Sequence, residues 1–255
     1  MFRKHINTKK KEQKDRIVWR SHEVTRIEAF SDAVFAFALT LLIVSLEVPR
    51  SFNDLLYNMT GFLPFALCFL LVFYVWRVQY IFFRRYGLHD AYTISINGIL
   101  IFMVLFFVYP LKFLSTFLTQ SWMIGLFHAD ANQLHALTIN ERQEPMLMFI
   151  YSGGYLGIFI LFTLMYYHAW KKRSELNLTR SEVFETRTDL YSHLIMAGFG
   201  LTSIILALIG TIWAISLSGL IYAFIPIPLL LMYRRRDKIH RIKFEQFGKV
   251  SAESE

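Results

Sequence analysis

Long, continuous apolar runs separated by short charged segments dominate this 255-residue chain. A run of roughly 20 apolar residues is long enough to cross a bilayer as a helix. Because a segment in lipid must satisfy its own backbone hydrogen bonds, unbroken runs without strand-like alternation favour helices over a barrel. The pattern predicts an all-α, polytopic membrane protein with six transmembrane helices per chain. We expect them at about 26–48, 59–83, 92–117, 146–169, 190–212 and 217–233.

The polar segments divide the chain into three parts. Residues 1–24 form a basic N-terminal segment, 25–234 the transmembrane domain, and 235–255 a basic tail. Two connections inside the domain stand out. We expect 118–144 to be the longest hydrophilic connection, part of it an interfacial helix, and 171–189 to be a charged link.

Glycine, proline and serine positions give the finer expectations. Pro110 predicts a kink in the third crossing. Small residues on the fourth crossing allow close helix approach, and these are Gly153, Gly154 and Gly157. We expect the turn between the fifth and sixth crossings near Ser216, Ser218 and Gly219. The sixth crossing is expected to break at Pro226 and Pro228.

The charges follow the same pattern. All but three of the 27 lysines and arginines fall on one side of the membrane if both termini lie there, and the exceptions are Arg50, Lys112 and Arg142. The positive-inside rule then places both termini in the cytoplasm. This distribution, together with contact to membrane lipids, accounts for the net charge of +8. No recognisable nucleic-acid module occurs, so no nucleic-acid partner is expected.

Little in the sequence indicates enzymatic or metal chemistry. Cys68 is the single cysteine, and the eight histidines show no metal-ligand spacing on one face. Serine, histidine and aspartate occur without a nucleophile motif. We therefore expect no enzyme activity, no cofactor and no resident metal.

The first crossing differs from a simple anchor because ionisable residues, Arg26, Glu28 and Asp32, lie in its first two turns. Such groups are costly at membrane depth and usually face protein or water. On a helical wheel at about 100° per residue, Asp32 lies more than about 100° from the apolar stripe, and so does Ser31. Asp32 is therefore expected to point into the helices behind and to need a partner there. The candidates are Arg26, Glu28, Trp76, His89 and Asn97.

The stripe itself is formed by Phe37, Leu41 and Val44, and Phe30 extends it two turns earlier. Thr40 lies about 60° to one side. Every membrane helix is largely apolar, so the stripe alone is equally compatible with ordinary lipid contact.

The segment from Arg26 to Asp32 reads R-x-x-x-F-S-D at the head of a first crossing. It resembles the lysosomal/endosomal transmembrane potassium-channel family, in particular its prokaryotic members. The apolar run after the motif, Asn97 and Pro110 on the third crossing, and the six-helix layout are also similar. The resemblance covers roughly residues 20–235.

This resemblance implies a homotetrameric, potassium-permeable cation channel of a bacterial inner membrane. The first helices would surround the pore, which lacks a T-V-G-Y-G filter and passes potassium ions only transiently. Side chains on the first helix would form the hydrophobic constriction, namely Phe37, Leu41 and Val44, with Thr40 nearby. The motif residues would clamp the helices together, namely Arg26, Phe30, Ser31 and Asp32. Phe37 departs from the family, which usually has Ile or Leu at the narrowest position.

Two other readings of the sequence stay open. Ionisable groups at membrane depth and the prolines of the third and sixth crossings are also typical of secondary or proton-coupled transporters, which often contain inverted repeats. No convincing repeat relates residues 26–117 to 146–233, which favours the channel. A non-conducting membrane scaffold is the third possibility.

Overall fold

The computed structural model describes residues 19–20, 23–44, 62–127 and 143–236, with isolated positions between 51 and 59. All regular elements in these ranges are helical, so the described part of the chain is all-α as predicted. The helices are α1 (Arg26–Val44), α2 (Phe62–Tyr86), α3 (Ala91–Phe127), α4 (Glu144–Lys171), α5 (Arg180–Ile209) and α6 (Ile212–Leu220). A 3₁₀ turn at Ile221–Phe224 follows, and residues 226–236 form a last helix, α7.

Five segments among the described residues are long and apolar enough to span a membrane, which makes this a multi-pass membrane protein. They are Phe65–Tyr86, Ala91–Leu114, Glu144–Lys171, Arg180–Ile209 and Trp213–Arg236. Helix α1 is not among these five segments. Its 19 residues would extend about 28 Å, close to the ~30 Å hydrocarbon thickness of a bilayer. The sixth crossing therefore stays a prediction.

Helix α3 is longer than the sequence pattern predicted. It runs without interruption through Pro110 to Phe127, so the segment expected to be an interfacial helix begins as a continuation of α3. No glycine or proline lies between Leu111 and Ile124 to end it. The rest of the predicted hydrophilic connection, 128–142, lies outside the described residues.

The charged link predicted for 171–189 is wrong in its second half, because α5 already begins at Arg180. The hydroxyl of Thr179 accepts the Glu182 backbone N–H, and the Glu182 carboxylate accepts the Thr179 backbone N–H at 2.8 Å. This reciprocal capping box satisfies two donors that a helix start would otherwise leave free. The helix therefore starts inside the charged segment, ahead of the apolar run.

The turn predicted near Ser216, Ser218 and Gly219 is also wrong, since those residues lie inside α6. The turn occurs at Gly210, whose φ of 72° is a left-handed conformation that only glycine adopts at little cost. Thr211 then caps α6 by accepting the Ala214 backbone N–H. The expected break in the last crossing lies at the 3₁₀ turn, just ahead of Pro226.

Close packing of α4 depends on two of the three predicted glycines. A Cβ at Gly154 would lie 2.2 Å from the Phe107 ring, and one at Gly157 would lie 2.7 Å from the Met103 methyl. Among the described residues of one chain nothing lies within 4 Å of a Cβ at Gly153, so the predicted role of Gly153 in packing these helices is wrong. The small residues thus bring α4 against α3, and Gly200 does the same for α5 against α4, where a Cβ would contact Leu156 at 3.1 Å.

The ends of several helices meet at one end of the bundle, which we call the basic end. Arg20, in the lead into α1, forms a bidentate pair with Glu182 at 2.8 and 3.0 Å and also donates to the carbonyls of Leu176 and Arg85. Arg85, at the end of α2, donates to Glu185 at 2.9 Å and Asp189 at 2.8 Å on α5. These pairs place the start of α1, the end of α2 and the start of α5 side by side, as an alternating topology requires.

We predict that Arg20→Met lowers the free energy of unfolding by about 3 kcal/mol. Removing one partner of a buried ion pair leaves the other uncompensated, and Glu182 is 1% exposed in its side chain. Arg187→Met is the matched control, because Arg187 is exposed on the same α5. The check is the denaturation midpoint of the purified protein in detergent; equal midpoints for the two variants would contradict the role of the pair.

The α2–α3 turn carries a further ion pair, between Asp90 and His168, and the charge of Asp90 gives it a pH dependence. Burial raises the pKa of the Asp90 carboxyl, but hydrogen bonds from Thr93 and His168 and the charges of His168 and Lys172 outweigh burial, so that pKa lies below its ordinary value. A depressed folded-state pKa stabilises the protein above the unfolded-state pKa, and this contribution is lost as pH falls through the folded-state pKa.

We therefore predict that Asp90→Asn has a lower free energy of unfolding than the wild type near neutral pH. This difference should disappear at acidic pH, below the folded-state pKa of Asp90. Denaturation midpoints measured from about pH 7 to below about pH 3 check this, since the ordinary carboxyl pKa lies near 3.9. A stability difference that persists undiminished below about pH 3 would contradict a depressed pKa.

Candidate functional site

Helix α1 has two opposite faces. The face packed against the bundle includes Phe35 (3% exposed), Ala38 (0%) and Leu42 (2%). On the other side, Phe30, Phe37 and Leu41 are 60%, 57% and 42% exposed. These last three residues lie within about 40° of one another on the helix, as the wheel predicted. A single chain therefore leaves an apolar stripe of α1 uncovered.

A chain of buried hydrogen bonds fixes the packed face of α1. The Asn97 amide on α3 donates to the Ser31 hydroxyl at 2.9 Å and accepts from the Gln79 amide of α2 at 2.8 Å. The Ser31 hydroxyl in turn donates to the Ile27 carbonyl at 2.8 Å. Ser31 and Asn97 are fully buried and Gln79 is 2% exposed. These hydrogen bonds thus join three helices. Because the polar groups are shielded from water, they must find their hydrogen-bond partners within the protein.

Asp32 has the partner that the sequence required, although it is exposed rather than buried. The Trp76 indole N–H donates to an Asp32 carboxylate oxygen at 2.7 Å. Trp76 lies on α2, behind and to one side of the stripe, so Asp32 is turned away from Phe37 as predicted. Of the other candidates, Asn97 bonds to Ser31 instead, and the His89 ring stacks on Phe83 at 6.3 Å.

Glu28 has a local role. Its carboxylate accepts both the backbone N–H and the hydroxyl of Thr25, at 2.8 and 2.9 Å, and the Thr25 hydroxyl accepts the Glu28 backbone N–H. This is again a capping box, and it starts α1. The acidic group in the first turn also faces the positive end of the helix dipole, which is favourable.

The remaining predicted site residues are distributed as follows. Within one chain the R-x-x-x-F-S-D segment is divided, because Ser31 and Asp32 bond to neighbouring helices while Arg26 and Phe30 are exposed on the stripe. Thr40 is exposed beside Phe37, and its hydroxyl donates to the Ala36 carbonyl at 2.9 Å. The side chain of Val44 lies outside the described part of the structure. The constriction and the clamp stay predictions.

Sequence reasoning missed two residues that hold the site. Gln79 stands alone as an amide in the apolar run of α2, and that isolation was a usable signal, because polar groups in membrane helices tend to find partners. Arg20 gave no comparable signal, since its carboxylate partner lies 162 residues away in the chain. Among the residues that the structure describes, no three histidine, cysteine or acidic side chains are grouped to hold a metal ion.

Comparison with known proteins assigns the family. A family model for the endosomal/lysosomal potassium channel TMEM175 matches residues 26–108. A potassium channel from Marivirga tractuosa is 39% identical over 222 residues, which cover 85% of this chain and 89% of the relative. The chain belongs to the TMEM175 potassium-channel family. The family-level resemblance read from the sequence is therefore confirmed, and the TMEM175 family consists of channels and not of enzymes.

Solved structures give the same assignment. The crystal structure of a variant of the potassium channel MtTMEM175 superimposes with a TM-score of 0.77 at 38% identity, covering 87% of this chain and 97% of that one. A homologue, from Chamaesiphon minutus, of the lysosomal potassium-selective channel TMEM175 gives a TM-score of 0.50 at 24% identity, covering 85% of this chain and 99% of that one. The second comparison supports the fold alone.

We predict that Asn97→Ala destabilises the protein by about 2 kcal/mol. The substitution removes the donor to the Ser31 hydroxyl and leaves the buried Gln79 amide without its acceptor, and unsatisfied buried polar groups cost ~1–3 kcal/mol each. Ser95→Ala is the control, because the exposed Ser95 hydroxyl bonds only to its own helix, at the Ala91 carbonyl. Detergent-solubilised variants compared by chemical denaturation check this; an Asn97 variant as stable as the Ser95 variant would contradict the network.

Proposed function

We propose that this protein is a potassium-permeable cation channel in which four copies place α1 around a central pore. Conduction is passive, and the exposed stripe of α1 forms a hydrophobic constriction in place of a carbonyl filter. The chain crosses a bacterial inner membrane six times, with both termini and the basic end in the cytoplasm. Membership of the potassium-channel family supports potassium as the permeating ion. The exposed apolar face of α1 supports this helix as the lining of the pore.

The observation that carries this proposal is the uncovered stripe on a helix whose rotation is fixed. The Ser31–Asn97–Gln79 bonds form only when the packed face of α1 points at α2 and α3. In that orientation Phe37 and Leu41 must face outward from the chain. The same stripe begins with the exposed Arg26, a charged residue that a helix facing only lipid would tend to avoid.

The stripe can discriminate between potassium and sodium because the two ions differ in the free energy needed to remove their hydration water. Phe37 and Leu41 are four residues apart, so rings of these side chains would lie about 6 Å apart along a pore axis. A narrow apolar ring offers no ligands, and an ion must shed part of its hydration shell to pass. Potassium is less strongly hydrated than sodium and sheds that water at lower cost. A ring of phenylalanines would also close readily by expelling water.

The motif residues have a supporting role in this proposal. Ser31 and Asp32 hold α1 against α3 and α2 within one chain. Arg26 and Phe30, exposed on the stripe, contact a neighbouring copy near the cytoplasmic end of the pore. In this proposal the motif residues thus hold helices together both within and between subunits, and the apolar residues of the stripe line the ion path.

The test is ion flux from liposomes that contain purified protein and opposed potassium and sodium gradients. We predict potassium flux in the wild type and a several-fold larger flux in Phe37→Ala, because the smaller side chain widens the ring. Phe106→Ala is the matched control, since Phe106 on α3 is similarly exposed (61%) but lies outside the stripe, and its flux should equal that of the wild type.

Absence of potassium flux in both the wild type and Phe37→Ala would contradict the channel. Equal increases in Phe37→Ala and Phe106→Ala would contradict the location of the constriction. Saturable uptake of a solute against its gradient would instead favour the transporter reading.

A further inference from the structure

We propose that Lys112 is a positioning residue that holds the outer end of α1 and thereby sets the width of the constriction. The inference rests on the proposed pore, because it assigns a role at that same site. Lys112 lies on α3, two residues after Pro110, and its side chain is partly buried. Its ammonium group donates to the Leu42 backbone carbonyl at 3.3 Å.

The carbonyl that Lys112 contacts is directly linked to the stripe. Leu42 follows Leu41 in the chain and lies in the last turn of α1. A cation close to the last turn of a helix opposes the negative end of the helix dipole, which favours this contact. The bond therefore reaches the backbone that carries Leu41, from the side opposite the exposed stripe.

The part of α3 that carries Lys112 is itself attached to α4. The Tyr151 hydroxyl of α4 donates to the Pro110 carbonyl. Contacts thus run from α4 through α3 to the end of α1. A lysine that served only as a topology signal would extend its charge toward the headgroups. Lys112 instead turns its ammonium group to a backbone oxygen of the neighbouring helix.

Helix α3 holds α1 at two heights. Asn97 bonds to Ser31 near the basic end, and Lys112 bonds to Leu42 near the other end. On α1 these two points are eleven residues apart, about 16 Å, and Phe37 lies midway between them. The bonds of Ser31 and the packing of Ala38 and Leu42 fix which face of α1 is inward, and the Lys112 bond adds a directional contact at the outer end. Without that contact we expect the outer end to tilt, so that Leu41 shifts relative to the axis. With both points, the stripe keeps one orientation.

The test compares Lys112→Met, which keeps the length of the side chain and removes the donor, with Lys112→Arg, which keeps a charged donor. In the liposome assay we expect Lys112→Met to conduct with a several-fold lower potassium-to-sodium permeability ratio, and Lys112→Arg to stay near the wild type. Lys171→Met, at the basic end of α4, is the matched control and should be unchanged. The loss in Lys112→Met should persist at high salt, because a lost contact is not screened as a surface charge is.

A second readout does not depend on conduction. In a Cys68→Ser background, Leu41→Cys should form a disulfide between copies, and adding Lys112→Met should change its yield. If the wild type passes no potassium, the proposed function fails while this readout still tests the position of α1. A wild-type permeability ratio together with an unchanged disulfide yield in Lys112→Met would overturn the inference. If the methionine variant does not assemble, Lys112→Gln, too short to reach the carbonyl, serves in its place.

Discussion

The structure depends on one constraint, which is that polar groups buried between membrane helices must bond to one another. Ser31, Asn97 and Gln79 meet this requirement together, because each is buried and none has water as an alternative. Rotating α1 by one residue, about 100°, would separate Ser31 from Asn97 and leave the buried Asn97 N–H without its acceptor on α1. The bonds therefore determine which face of α1 packs inward. They also determine, by exclusion, which face is left for ions or for a second copy.

A second set of polar contacts works at a distance from the stripe. The ion pairs of Arg20 and Arg85 with the acidic residues of α5 tie the lead into α1 and the end of α2 to α4 and α5, the most extensively packed pair among the described helices. Buried ion pairs add little net stability compared with apolar packing, but an arrangement that separates the partners is strongly disfavoured because it leaves a buried charge uncompensated. Through these ion pairs, α5 fixes the position of the start of α1.

The sequence predicted the two faces of α1 correctly, because helical period alone relates Phe30, Phe37 and Leu41. It also predicted that Asp32 needs a partner, and Trp76 was among the candidates. The boundaries failed where local signals were underweighted. Thr179 and Glu182 form a recognisable capping pair, and Gly210 followed by Thr211 is a common way to end one helix and start the next. The role of Arg20 could not be read from the sequence, since nothing local links it to Glu182.

The most direct test of the account is the accessibility of α1 to a water-borne reagent during conduction. Because Cys68 is the single cysteine, a Cys68→Ser background allows one new cysteine at a time. A small cationic thiol reagent should block potassium flux through Phe37→Cys and Leu41→Cys and leave flux through Phe35→Cys and Ala38→Cys unchanged. Block at the packed positions, or none at the stripe, would contradict the claim that the exposed face of α1 is the ion path.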